Sequence, residues 1–278
     1  MTEQIAARSR STLTREGNVV HKQYRNAADA RSAAEREAYR YLAGFDVPVP
    51  SLIDITEVGI DLAFVDNVGD YEAALRGGDA AAATRALGRA YASLHDVAAP
   101  GPVVHQRLGV EHLHAWCEVV GVPVPDVTWA IVAFDEPGDM LAFSHGDPAP
   151  SNALVRAEGD LVLVDFEYAA ARHRGYDLAA WHVLCPLAPA LLDALHDGYG
   201  REIDGLDALV VWRAVQVVGM NRTELLEADR EFAPGWSARA SLLTALRRGG
   251  EHEPGLLPLH DALATRWPEH ADRIPDWR

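Results

Sequence analysis

Lysine is all but absent from this 278-residue sequence, and Lys22 is the single one. The other positive side chains are arginines, so one strand-like lysine near the N-terminus is conspicuous. Basic charge is scarce altogether: Lys and Arg number 25 against 41 Asp and Glu, a formal charge of −16. A strongly anionic chain is a poor partner for nucleic acid or an anionic membrane and a good one for a cationic ligand. Acidity also serves solubility, and that reading stands beside the first. Cysteine is rare too. Cys117 and Cys185 are far apart and form no CxxC pair, which excludes a disulfide framework and a cysteine-based zinc site and fits a reducing compartment.

Long apolar runs are missing. The best window, residues 209–220, is interrupted by Arg213, so no membrane span is expected. Residues 1–11 mix charge and polarity without an apolar core, so no signal peptide is expected. A cytoplasmic protein, a monomer or weak homodimer with no nucleic-acid or membrane partner, is the expectation. Three glycine signatures are absent as well: there is no GxxxxGK, no GxSxG and no GxGxxG ahead of Lys22. A P-loop and a serine nucleophile elbow are thereby set aside.

What is present is enough apolar residue, 49%, to bury a sizeable core. Residues 11–14 and 19–24 read as strands joined at Glu16-Gly17-Asn18. A helix is expected over 27–43, capped by Asn26 and closed by Gly44. The run Val47-Pro48-Val49-Pro50 forbids helix and leads to strands at 52–55 and 60–65. Helices are expected at 71–76, 80–97, 111–120 and 127–136. Short strands follow at 141–144 and 161–164, and helices at 176–183, 189–199, 206–226, 237–248 and 259–267. This is an α+β pattern. A small β-rich lobe over 1–68 would precede a larger, mostly helical lobe over 69–278.

The chemistry concentrates in two stretches. The first runs from Phe143 through His145-Gly146-Asp147 to Asn152, and the second is Leu161-Val162-Leu163-Val164-Asp165-Phe166-Glu167. Two acids and an amide sit on loops at the ends of short apolar strands, and Pro148 and Pro150 keep the first loop from coiling. Phosphoryl transfer needs few parts: a carboxylate for the acceptor hydroxyl, hard oxygen ligands for Mg²⁺, and a cation on the phosphates. Asp147 suits the first role, and Asn152 and Asp165 suit the second. Each residue alone is also an ordinary turn former.

The two stretches resemble the HGDxxxxN and (I/V)D(F/W)E motifs of the aminoglycoside phosphotransferase and choline kinase family. That resemblance implies a two-lobed, protein-kinase-like fold, with nucleotide bound by the lobe over 1–68 and catalysis and substrate binding in the lobe over 69–278, and an ATP-dependent phosphotransferase acting on an alcohol group. It makes Asp147 the catalytic base, Asn152 and Asp165 the Mg²⁺ ligands, and His145 a brace for the loop. Glu167 would meet a second metal or the substrate. Tyr176-Asp177-Leu178-Ala179 and Leu94-His95 resemble structural elements of the same family. Lys22 would steady the phosphates and pair with a helix glutamate, Glu35 or Glu37. Glu35 has Tyr39 and Leu42 at i+4 and i+7 and is preferred. Adenine would lie near Phe64 and Asp66, by analogy, and GTP stands as an alternative to ATP. The family's Gly-rich loop has no counterpart here, which leaves residues 9–12 as the candidate cover for the phosphates.

His112 and His114, two apart on a helix, point to different faces, and with His105 they are set aside as zinc ligands. Trp181, Trp212, Trp236, Trp267 and Trp277 read as packing. Acids at Glu224 and Glu227, i and i+3, could bind the ammonium or guanidinium groups of an acceptor; a solvated helix face is the plainer reading of them. The expected acceptor is a small cationic antibiotic, an aminoglycoside or a basic peptide such as capreomycin or viomycin, and the product a resistance phenotype. A metabolic kinase for an amino alcohol, a homoserine-like compound or a sugar is the alternative. A catalytically silent binding module is the third reading.

Overall fold

The computed structural model describes residues 3–7, 10–104, 109–233, 236–271 and 273. In chain order the elements are β1 (Glu3–Ala7), β2 (Ser11–Glu16), β3 (Val19–Tyr24), α1 (Ala30–Leu42), β4 (Leu52–Ile55), β5 (Gly59–Ala63), β6 (Gly69–Asp70), α2 (Tyr71–Arg76) and α3 (Ala80–His95). There follow α4 (Val110–Val120), α5 (Thr128–Asp135), β7 (Leu141–Ser144), β8 (Ala153–Val155), β9 (Leu161–Leu163), β10 (Ala170–His173), α6 (Gly175–Val183) and α7 (Pro189–Tyr199). The chain ends with α8 (Leu206–Met220), β11 (Glu231–Ala233), β12 (Trp236–Ser237), α9 (Ala238–Gly250) and α10 (Leu257–Arg266). Sheet dominates the N-terminal region and helix the C-terminal part. No helix among the described residues is long and apolar enough to cross a membrane.

Two compact units form. One is Met1–Gly101 with Ala142–Ala171 and Ala194–Arg201; the other is Pro102–Leu141 with Arg172–Asp193 and Glu202–Arg278. The first unit carries a five-stranded antiparallel sheet of order β1-β2-β3-β5-β4. Its β2–β3 hairpin closes through Gly17-Asn18, with Glu16 opposite Val19. Gly17 takes φ +59°, the left-handed backbone that glycine supplies at the first position of such a two-residue turn. A further strand, β1, which the sequence reading does not include, precedes this hairpin and pairs with β2. Ser9 of the expected phosphate cover, His105 and Trp277 lie outside the described residues.

Helix α1 starts three residues later than expected. Asn26 does not cap it; its Oδ1 accepts from Ala28 N–H in the preceding turn at 3.2 Å. Asp29 is the N-cap, accepting from Arg31 N–H at 2.8 Å, the bond that satisfies a first-turn donor. Its buried positions Ser32, Glu35, Ala38, Tyr39 and Leu42 follow the helical repeat. A smaller sheet, β6-β8-β9, completes this unit. Strand β8 was not read from the sequence, because three residues are too few to show alternation.

Close packing in the first unit depends on small residues. A Cβ on Gly88 of α3 would lie 2.2 Å from the Leu195 carbonyl oxygen and 2.6 Å from Tyr199 N. These are backbone atoms, and no side-chain adjustment relieves the overlap. Gly88→Ala is expected to cost about 1–3 kcal/mol, the scale of core overpacking, and urea unfolding would measure it.

The second unit is built on α8. Residues 208–218 of this helix are buried on every side, among Trp116, Phe134, Tyr176, Leu242, Leu246 and Leu263. Arg213, the residue that breaks the apolar run, sits 3.5 Å over the Tyr176 ring and donates to Tyr176 O and Gln216 Oε1. Trp181, Trp212, Trp236 and Trp267 are buried packing residues. The helix expected to continue to residue 226 stops at Met220. Asn221 is extended and buried, its amide turned back to Val217 O at 2.8 Å, and a separate turn of 3₁₀ helix spans Thr223–Leu226.

Candidate active site

The two motif stretches meet because a hairpin folds them together. Strands β8 and β9 pair with Ala153 opposite Leu163 and Val155 opposite Leu161. The next pair along places Asn152 beside Val164, whose N–H donates to Asn152 O at 2.9 Å. The interval between Asn152 and Asp165 is thus the length of a short hairpin. His145 ties the same point from the other side. Its Nδ1 accepts from Asp147 N–H at 3.3 Å, so Nε2 carries the proton and donates to Val164 O at 2.9 Å. The ring is buried 4.5 Å from Phe166. Val164 is therefore held through both its peptide groups, and Asp165 follows from a fixed point.

Asp165 is the only described non-glycine residue with positive φ, at +71°. That backbone is costly for most residues and tolerated best by Asn and Asp. Its Oδ1 accepts from Lys22 Nζ at 2.6 Å. Lys22 also donates to Glu35 Oε1 at 2.7 Å, so the lone lysine lies between two carboxylates. Glu37 is exposed and pairs with Arg40 instead. Asn152 donates from Nδ2 to Asp147 O at 3.0 Å and to Asp147 Oδ2 at 3.2 Å. With the NH₂ so engaged, the Asn152 carbonyl oxygen is the atom it has left to offer a cation.

The electrostatics follow from burial. Burial works to discharge Lys22, but Glu35 and Asp165 outweigh it and hold its pKa above the ordinary lysine value. Glu35 is 1% exposed; burial pushes its pKa up against the pull of Lys22. Glu167 is also raised, by burial and then by Asp165. Lys22 has three donors, of which two are used, and the third is available to an anion.

Tyr24 belongs to this cluster and was not singled out in the sequence. Its hydroxyl donates to Glu35 Oε2 at 3.0 Å, so both oxygens of the buried carboxylate are bonded. Burial, then Glu35, raise the phenol pKa far above its usual value, and Tyr24 stays a donor. The available signal was its position two residues after Lys22, on the same strand face. Tyr24→Phe leaves Glu35 Oε2 without this bond and is expected to lower stability by about 1–3 kcal/mol, which thermal unfolding beside wild type would show.

Two cavities adjoin Lys22 and Asp165. One, of ≈ 230 Å³, is polar; Arg10, Ser32, Asp147, Asn152, Asp165 and Glu167 are among its lining residues. The other, of ≈ 330 Å³, is mainly apolar, with Leu13, Val20, Leu62, Phe64, Leu154 and Val164 on its walls. Phe64 lines it, with the Arg15 guanidinium 3.4 Å over its ring; Asp66 is exposed and does not line it. Of the expected site residues, Lys22, Glu35, Phe64, Asp147, Asn152, Asp165 and Glu167 thus surround two neighbouring cavities of one unit. Glu224 and Glu227 are exposed residues of the second unit, at the 3₁₀ turn after α8. Glu224 lines a shallow surface cavity there with Arg222 and Arg230, and Glu227 does not.

Comparison with known proteins gives the family and the fold. The model of the phosphotransferase enzyme family matches residues 4–209. No curated protein matches the sequence. Among solved structures, a choline/ethanolamine kinase family protein from Mesorhizobium loti superposes with TM-score 0.62 at 18% identity, over 95% of this chain and 92% of that one. The streptomycin–ATP ternary complex of APH(2'')-IIa superposes with TM-score 0.57 at 11% identity, over 79% and 86%. The macrolide 2'-phosphotransferase MphH from Brachybacterium faecium gives TM-score 0.51 at 21% identity, over 88% and 91%. These likenesses are of fold, and the family match covers well over half of the sequence. The chain belongs to the phosphotransferase enzyme family and is a phosphate-transferring enzyme built on its kinase-like fold.

Proposed function

We propose that this enzyme transfers the γ-phosphate of ATP to a hydroxyl of a small cationic molecule, an antibiotic first of all. The observation that carries the reading is Lys22 held between Glu35 and Asp165 at 2.7 and 2.6 Å, on a cavity that also receives Asp147 and Asn152. The adenine would occupy the apolar cavity at Phe64, and Asp66 would lie at its outer edge. The third donor of Lys22 would take a phosphate oxygen. Asp147 would orient the acceptor hydroxyl and take its proton as that oxygen bonds to the γ-phosphorus and the bond to the leaving ADP breaks.

No three His, Cys, Asp or Glu among the described residues form a self-sufficient metal centre. The donor set still suits Mg²⁺, which takes hard oxygens and is commonly held by one or two protein ligands with phosphates and water. Asn152 Oδ1 and the Asp165 carboxylate would hold it. When bound, Mg²⁺ supplies charge neutralisation across the transferring phosphates. Removal of divalent metal with EDTA would then abolish transfer, and added Mg²⁺ would restore it.

Three acids, Asp147, Asp165 and Glu167, against Arg10 and Lys22 on the polar cavity favour an acceptor that carries positive charge. Glu167 is the acid assigned to meet it. Glu224 and Glu227 are assigned to the acceptor on charge alone. A metabolic kinase for an amino alcohol is the second reading, favoured by the likeness to the choline/ethanolamine kinase family protein. Initial rates with ATP and a panel of aminoglycosides, capreomycin, viomycin, choline, ethanolamine and homoserine separate the two. Preference for choline or ethanolamine over every antibiotic would overturn the first reading and leave the reaction class standing. We place the enzyme in the cytoplasm, where ATP is supplied.

A further inference from the structure

The chain turns tightly just after Asp165. Ala169 N–H donates to Phe166 O at 3.0 Å, with Glu167 and Tyr168 at the two corners. Loop backbone is more mobile than the elements it joins, so the aim of Glu167 depends on what holds its neighbours. Both neighbours are held by one stripe of α1. Arg31, Glu35 and Tyr39 stand at i, i+4 and i+8 and share a helix face. Tyr39 meets the Phe166 ring edge-on at 5.4 Å. Glu35 reaches Asp165 through Lys22. The Arg31 guanidinium lies 4.4 Å over the Tyr168 ring. The outer end of the stripe is itself anchored, since Asp29 caps α1 and its Oδ2 is 3.5 Å from Arg10 Nη1. Glu167 lines the polar cavity, and Tyr168 does not.

We propose that Arg31 and Tyr168 are positioning residues, which aim the Glu167 carboxylate into the polar cavity toward the acceptor. The inference rests on the reading of Glu167 given above. Phe166 and Tyr39 are buried, and the core keeps that contact. Arg31 and Tyr168 are half-buried and hold the other side of Glu167, so without their stack the turn is free to pivot about Phe166. A guanidinium over a ring face is held by the ring's quadrupole. The charge of Arg31 taken alone acts in the opposite sense. A cation near the cavity repels a cationic acceptor, so removal of that charge would tighten acceptor binding, whereas loss of aim weakens it. The sign of the change separates the two roles.

Steady-state rates with ATP-Mg²⁺ and each member of the acceptor panel that wild type phosphorylates test the assignment, beside an ADP titration and thermal unfolding of every variant. Arg31→Ala and Tyr168→Ala are each expected to raise the acceptor KM about two- to fivefold, the equivalent of one such cation–ring contact. With only binding lost, kcat and ADP affinity should stay near wild type. The double variant should be no worse than either single one. Tyr168→Phe, which keeps the ring, should have the wild-type KM. Glu167→Gln is the reference and should raise KM roughly tenfold or more, the scale of a hydrogen bond to a charged group. An Arg31→Ala variant with unchanged or lowered KM, beside a raised KM for Glu167→Gln, would overturn the positioning role and leave the reading of Glu167 standing. So would lowered thermal stability without a change in KM. Tyr168→Phe with the KM of Tyr168→Ala would also overturn it, because the hydroxyl and not the ring would then matter. A wild-type KM for Glu167→Gln, or a wild type that phosphorylates no member of the panel, would overturn the reading of Glu167 and the inference together.

Discussion

Asp147→Asn is expected to lower turnover by about 10²–10⁴-fold, the usual contribution of a positioned acid–base group, while ADP affinity and folding stay near wild type. The substitution keeps the shape and removes the charge. The loop is held by other atoms: His145 Nδ1 accepts from the residue's own N–H, and Asn152 Nδ2 donates to its carbonyl oxygen. Lost positioning is therefore a small part of the effect. Steady-state rates and an ADP titration on the same preparation measure both halves of the expectation. Weakened nucleotide binding equal to the loss in rate would move Asp147 from the reacting hydroxyl to the nucleotide.

Lys22→Met is expected to act on stability and activity together. The lysine is 8% exposed and contacts two carboxylates. Its removal leaves Glu35 buried with Tyr24 as its one remaining hydrogen-bond partner among the described residues. Removing one partner of a buried ion pair costs about 3–5 kcal/mol, and the phosphates lose their cation as well. A pH dependence follows. Burial raises the pKa of Glu35 in the folded state above its unfolded value. A group raised in this way binds more protons folded than unfolded, so its ionisation lowers stability as pH rises from the unfolded value through the folded one. Loss of Lys22 takes away the main opposing charge and raises Glu35 further. The stability gap between variant and wild type should thus widen as pH rises above the ordinary glutamate value, as urea unfolding at acidic and neutral pH would show. Lys22→Arg should not rescue turnover, because a planar guanidinium does not replace a compact ammonium between two close carboxylates.

How much of this was legible in the sequence depended on the range of the interaction. Asp147, Asn152 and Asp165 could be read together because one short hairpin joins them. Glu35 could be preferred over Glu37 because burial on a helix repeats at fixed intervals, and its apolar neighbours Tyr39 and Leu42 mark that face. Lys22 stood out by the lack of any other lysine. Other features turned on competition between nearby groups. Asn26 and Asp29 are both good caps, and only the turn over Asn26 to Asp29 decides between them. The end of α8 depends on Asn221 bonding back to Val217 O, which no propensity scale anticipates. Tyr24 joined the site through a bond to another element.

The central claim is that the cluster of Lys22, Asp147, Asn152 and Asp165 moves phosphate from ATP to an acceptor hydroxyl. Mass analysis of the acceptor after incubation with ATP-Mg²⁺, wild type beside Asp147→Asn, tests it most directly. One added phosphate on at least one member of the panel with wild type, and only a trace with the variant, is the result predicted. Phosphorylated acceptor at equal rates from both proteins, or none from wild type with any member of the panel, would contradict it.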